Sequence, residues 1–161
     1  VIHRLEYYKP DNLAVIVEKA GVKLAVTLEP AASLEIAKRA RGTPRIALKL
    51  LKRVRDYVQM KEISLISEEL VRNALDMFSI DTVGLDHHDR QLLETMIKKF
   101  GGGPVGLSTL AASLSDEQGT IEEVLEPYLL QIGFIERTPR GRVATKHAYN
   151  HLGLPYPEKK E

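Results

Sequence analysis

RGTPRIALKLLKRVRDY, residues 41–57, opens a helix and shows which side of it is buried. Thr43 is a good N-cap residue, and Pro44 suits the first helical position, where its missing N–H costs nothing. At 100° per residue, Ile46, Leu50, Val54, Tyr57 and Val58 share one face, while Arg45, Lys49, Lys52 and Arg53 share the opposite one. A basic face on an amphipathic helix is ordinarily a solvated one. Arg45 is different, because it falls in the first turn, beside backbone N–H groups that already favour an anion. That placement suits contact with a phosphate. The stretch carries no G-x-x-x-x-G-K-[ST] loop that would cradle a nucleotide. The chain begins at Val1 and reads as the rear part of something longer.

Helical patterns continue on both sides. Upstream, a strand end or lead-in is expected over 1–9. Asp11 is a candidate cap for a helix over about 12–26, which Gly21 weakens, and a second helix fits 31–40. Downstream, the helix from Pro44 runs to about Met60. Ser67 opens a fourth, with Leu70, Val71, Ala74, Leu75 and Phe78 behind it. Residues 10–80 therefore read as four helices with short connections.

The segment SIDTVGLD, 79–86, marks the expected boundary between domains over 1–80 and 81–161. Asp86 is a candidate cap for a helix over 87–100, stopped by Gly101-Gly102-Gly103-Pro104. A short helix is expected over 107–114. Thr120 and Glu123 have capping-box spacing for a helix over 121–132, with a kink at Pro127 and an end at Gly133. Residues 134–136 and 143–145 flank a polar Arg-Thr-Pro-Arg-Gly-Arg turn and suggest a hairpin. A last helix is expected over 146–152, and the tail PYPEKKE is expected to fray. Three helices followed by a hairpin is the layout of a winged helix. The predicted class is mainly α, with one small β-hairpin.

Composition restricts the chemistry. The 161 residues carry a net charge of +1 and no cysteine. Disulfides and thiolate metal sites are excluded, and a nucleic-acid site must be a local patch. No apolar run is long enough to cross a membrane as a helix. His147 and His151 stand four apart, but no carboxylate completes a metal site convincingly, so none is expected. Gly101–Gly106 lacks the Lys-Ser/Thr of a phosphate loop and reads as a turn.

The clearest basic patch is Arg137, Arg140 and Arg142 on the hairpin, with Lys146 close behind. Arginines there can pair with phosphate oxygens, although a solvated turn is an equal reading of the patch alone. The winged-helix order raises the nucleic-acid reading. Residues 115–128 contain five acidic residues and no basic ones. Glu122, Glu123 and Glu126 would be repelled by phosphates, so this helix is not expected in a major groove. DNA would be bound by the wing, through its backbone and without strong sequence preference.

These residues carry a resemblance. RLEYY (4–8), RARGTPRIALKLLKRVRDY (39–57), ALDMF (74–78), GLDHHDRQLL (84–93), FGGGPVGLSTLAASL (100–114), TIEEVLEPYLLQIGFIERTPRGRVAT (120–145) and AYNHLG (148–153) are similar to the RuvB family. These are AAA+ motors that drive branch migration of Holliday junctions in recombination and repair. The likeness covers the C-terminal part of that family and implies a helical AAA+ lid followed by a winged-helix DNA-binding domain. By resemblance, Arg45 matches the sensor-2 arginine that reaches nucleotide phosphates, and Tyr8 an aromatic that contacts the nucleotide. Arg137 and Arg142 match DNA-contacting wing arginines, with Arg140 between them. Leu48 stands where the family usually has Asn.

The family implies ATP or ADP with magnesium in the full-length protein, and double-stranded DNA at four-way junctions as the substrate. It also implies the partner RuvA, a homo-hexamer and a cytoplasmic location. Walker A, Walker B, sensor 1 and the arginine finger are expected before Val1, so this stretch alone is not expected to hydrolyse ATP or hold nucleotide tightly. The rival readings are a stand-alone winged-helix DNA-binding module without ATPase activity and, behind it, an adaptor binding an acidic protein through the basic helix.

Overall fold

The computed structural model describes residues 7–158, which divide between Asp86 and His87 into two compact units. The expectations for residues 1–6 and for the end of the tail lie outside the described residues.

The first unit is four helices: α1 (Pro10–Lys23), α2 (Pro30–Lys38), α3 (Pro44–Met60) and α4 (Glu68–Met77). Each start has a local cause. Thr43 Oγ1 accepts the Ile46 amide and Ser67 Oγ accepts the Leu70 amide, as expected of caps. The other two starts differ from the sequence reading. Prolines at the first helical position set them, so α1 begins at Pro10 with Asp11 already in its first turn rather than capping, and α2 begins at Pro30. Helix α1 also stops sooner than expected, and Ala25 takes a left-handed conformation just beyond it. The buried stripe of α3 is Ala47, Leu50, Leu51, Val54 and Val58, which meets Leu13, Val17, Ile36 and Leu75 in one core. Two short segments that the pattern did not announce, β1 (Thr27–Leu28) and β2 (Leu65–Ile66), pair in parallel between the helices. Two residues are too few to show a period, so only tertiary pairing reveals them.

The second unit contains α5 (His87–Phe100), α6 (Leu107–Leu114), α7 (Gln118–Thr120), a π-helical segment over Ile121–Leu125, and α8 (Glu126–Gln131). The hairpin β3 (Ile135–Thr138) and β4 (Gly141–Ala144) follows, then α9 (Lys146–Leu152). Leu92, Leu93, Met96, Leu110, Ile121 and Leu129 form its fully buried centre.

Two corrections matter here. The Thr120–Glu123 capping box is not made: Thr120 is already helical, with φ −63°, and its side chain caps nothing. The expected disturbance at Pro127 is real, and it takes the form of a π-segment just before the proline. Proline lacks the N–H that would continue the α ladder, and the wider turn accommodates the gap. The hairpin strands also reach further into the polar stretch than the sequence suggested. Arg137 and Arg142 are strand residues, directly opposed across the ladder, and only Pro139 and Arg140 make the turn.

Gly101–Gly106 is a packing element. Val105 exchanges both backbone bonds with Arg142, at 3.0 and 2.8 Å, adding a third strand-like contact to the hairpin. Gly103 (φ +92°) runs so close that a Cβ there would sit 2.3 Å from the Arg142 carbonyl oxygen. Among the described residues, no helix is long and apolar enough to cross a membrane.

Candidate functional site

The first unit offers a surface at the start of α3. Gly42 has φ +73°, and its carbonyl accepts the Tyr8 amide at 2.8 Å. The Tyr7 side chain lies against Gly42, where any Cβ would meet it at 2.9 Å. The segment before α1 is thereby fastened to the lead-in of α3. Tyr8, 48% exposed, and Arg45, exposed in the first turn of α3, are held at the same end of the helix. Arg45 forms no hydrogen bond or ion pair with the described residues, so all its donors face outward beside the positive end of the helix dipole. Lys49 and Lys52 continue the exposed basic face, whereas Arg53 is half-buried, its guanidinium 4.9 Å from the Phe78 ring centroid.

Behind this surface lies a residue to which the sequence assigned no role. Arg39 is 3% exposed. Its Nε donates to Glu35 at 3.0 Å, and its Nη1 donates to Asp76 at 3.1 Å and to the Ile80 carbonyl at 2.9 Å. Its own carbonyl backs onto Gly84 (φ +84°), where a Cβ would come within 2.4 Å. Asp81 accepts the amides of Val83 and Leu85. The 80–85 segment is thus a tied turn on the first unit, anchored three residues from Gly42.

The second surface is the wing. Arg137 and Arg142, opposed across the hairpin, would repel each other as like charges on paired strands. Glu126 lies between them, 1% exposed at its side chain. Oε1 accepts Arg137 Nε at 2.5 Å, and Oε2 accepts Arg142 Nε at 3.3 Å. Arg140 is exposed at the turn, and its amide donates to Thr138 Oγ1. The structure therefore brings Arg137 and Arg142 together and leaves Arg140 apart at the tip.

Glu126 is the one acidic residue that behaves unlike its neighbours. Glu122 and Glu123 are exposed, as their phosphate-repelling reading requires, whereas Glu126 is turned into the protein and neutralised. Nothing in the sequence singles Glu126 out, because it stands among other acids and groups with Glu122 and Glu123. The His151 ring lies tilted against Phe134, with centroids 5.1 Å apart. No group of three His, Cys, Asp or Glu side chains among the described residues could hold a metal ion.

Residues 8–81 match the RuvB AAA lid domain, and residues 82–153 match the RuvB C-terminal winged helix domain. The RuvB subunits of the Holliday junction branch migration complex from two strains of Chloroflexus aurantiacus are each 53% identical over 158 residues, covering 98% of this chain and 45% of theirs. A structure described as the Thermotoga maritima RuvB Holliday junction branch migration motor superposes with a TM-score of 0.92. It has 48% identity over 95% of this chain and 51% of that one. The chain spans about half the length of the relatives it matches. Matches to both domains of one family leave the stand-alone module unfavoured.

Proposed function

The chain belongs to the RuvB family, and from that premise we propose that it is the lid and wing of an ATP-dependent motor that drives branch migration of Holliday junctions. The observation that carries the reading is the start of α3, where Arg45 stands exposed and unpaired among the described residues beside a Tyr8 tied to Gly42.

That arrangement fits a nucleotide. A guanidinium with all its donors available, in the first turn of a helix, matches a polyphosphate, and an exposed phenol ring matches a base or ribose face. ATP, with magnesium, supplies a phosphoryl group whose charge near Arg45 changes on hydrolysis. Among the described residues no group of three His, Cys, Asp or Glu side chains could hold the magnesium.

Arg45 acts as the sensor. While it is paired to phosphate the lid is held in one orientation, and when the pairing weakens the lid turns as a rigid body. The tied turn at 80–85 supports that rigidity, because Arg39 fastens the start of the connection to the wing onto the lid. Arg137, Arg140 and Arg142 grip the backbone of double-stranded DNA at a four-way junction, without reading bases. A homo-hexamer, the partner RuvA and a cytoplasmic location complete the proposal.

Arg45→Ala in the protein that carries the ATPase segment tests it. ATP turnover is expected to fall by roughly tenfold or more while the fold is retained, in line with loss of one charged transition-state contact. Unchanged turnover would remove the sensing role.

A further inference from the structure

The wing arginines are bound to a carboxylate before any DNA arrives. Both contacts use Nε, and among the described residues neither guanidinium has another hydrogen-bonding or ionic partner. A guanidinium offers five N–H donors in a rigid fork, so each arginine keeps its terminal pairs for an oxygen ligand. The Arg137 side chain is 51% exposed and that of Arg142 is 19% exposed. Glu126 is therefore underneath and the remaining donors can face outward. The carboxylate is itself fixed: it opens α8, directly after the π-segment and before Pro127, between buried Leu125 and Leu129.

We propose that Glu126 is a positioning residue for DNA. It holds Arg137 and Arg142 side by side by their Nε edges, so that their terminal N–H groups present one prepared seat to a backbone phosphate. The inference rests on the DNA reading of the wing given above. It explains why a buried acid sits beneath a surface meant for an anion. Left unheld, two opposed arginines would splay apart, and binding would then have to freeze two long side chains.

The test turns on a sign. By charge alone, Glu126→Gln removes a negative group near the phosphate and should tighten DNA binding. By positioning, it frees two arginines that binding must then immobilise, so affinity for a short random-sequence duplex should weaken by roughly tenfold. The 161-residue chain is measured by fluorescence anisotropy at low salt, with thermal melting to show that the variant folds. In the Glu126→Gln background, Arg142→Gln should then cost much less than in the native chain, since the seat is already lost. Unchanged or tighter binding by a folded Glu126→Gln, or additive losses in the pair, would overturn the proposal.

Should that variant fail to fold, the native chain still decides the question. Nitrogen-15 spectra of the free protein should show slowly exchanging Nε–H signals for Arg137 and Arg142 that persist when duplex is added. Signals averaged with solvent would overturn it. Failure of the native chain to bind duplex at any salt would instead sink the DNA reading, leaving the spectra to report on the clamp alone.

Discussion

Arg39→Leu tests whether the lid is built on its buried ion network. The substitution strands Glu35, whose side chain is 8% exposed. Removing one partner of a buried pair costs about 3–5 kcal/mol, because the other charge is left uncompensated. Two features refine that range. Arg72 Nε stays 3.8 Å from Glu35 Oε1 and recovers part of the loss, while the bond to Asp76, a mostly exposed side chain, contributes under about 1 kcal/mol. The bond to the Ile80 carbonyl is only part-buried, so water can replace Arg39 there. The expected loss is therefore about 3 kcal/mol, a large fraction of the roughly 4–13 kcal/mol available to a unit of this size. The melting temperature should drop by roughly 12–24 °C. Native-state amide exchange is the sharpest assay, since it reads stability at Leu51 and Val54 separately from Leu92 and Leu129. Only the first pair should lose protection. Arg39→Leu combined with Glu35→Leu should recover most of the loss, because an apolar pair of similar volume replaces the ions. A double variant as unstable as the single one, or a single loss below about 1 kcal/mol, would refute the argument.

Other consequences are equally direct. Gly103→Ala should destabilise the second unit by about 2 kcal/mol or more, since φ is +92° and the new Cβ would meet the Arg142 carbonyl, whereas Gly106→Ala, with open space around it, should change the urea midpoint little. The Tyr149 hydroxyl is pushed above its usual value of 10.0, first by burial and then by neighbouring Tyr156, so the fold favours the neutral phenol. That stability is complete below the unfolded value and is lost as pH rises through the folded one. Tyr149→Phe should flatten the fall in denaturation midpoint across about pH 9 to 11. Duplex binding by the wing should weaken with salt at a logarithmic slope of about −2 rather than about −3, because Glu126 offsets one of the three arginines. A native slope of about −3 or steeper would mean that the carboxylate does not stay paired.

Much of this was legible because local rules and global packing agreed. Thr43-Pro44 starts a helix by chemistry that needs no distant partner, and the stripe from Ala47 to Val58 is a period that only a one-sided burial produces. The failures fall where a neighbour in space outranks a neighbour in sequence. Thr120 and Glu123 are the exception, a local miss: they have capping spacing, yet Gln118 and Gly119 start the helix ahead of them. The polar run from Arg137 to Arg142 looks like a turn by composition, yet pairing with Val105 and across the hairpin carries it into strands. Burial of Glu126 was illegible for the same reason, since an acid among other acids shows no sign of facing inward.

Arginine makes the general point. Arg39, Arg45, Arg137 and Arg142 are equivalent in a composition table, and charge patterning separated them only by position. What distinguishes them is the donor capacity left after folding. Arg39 commits three bonds to the lid and is closed to solvent, so it holds structure. Arg137 and Arg142 each commit one edge to Glu126 and keep the other, which orients them without using them up. Arg45 commits nothing within the described residues and stands at the positive end of a helix, an arrangement that stays costly in neighbouring positive charge until an anion arrives. Ranking guanidiniums by unspent donors thus predicts the order in which substitutions move from stability to function: Arg39 should change melting, the wing pair should change DNA affinity with modest change in melting, and Arg45 should change nucleotide turnover alone.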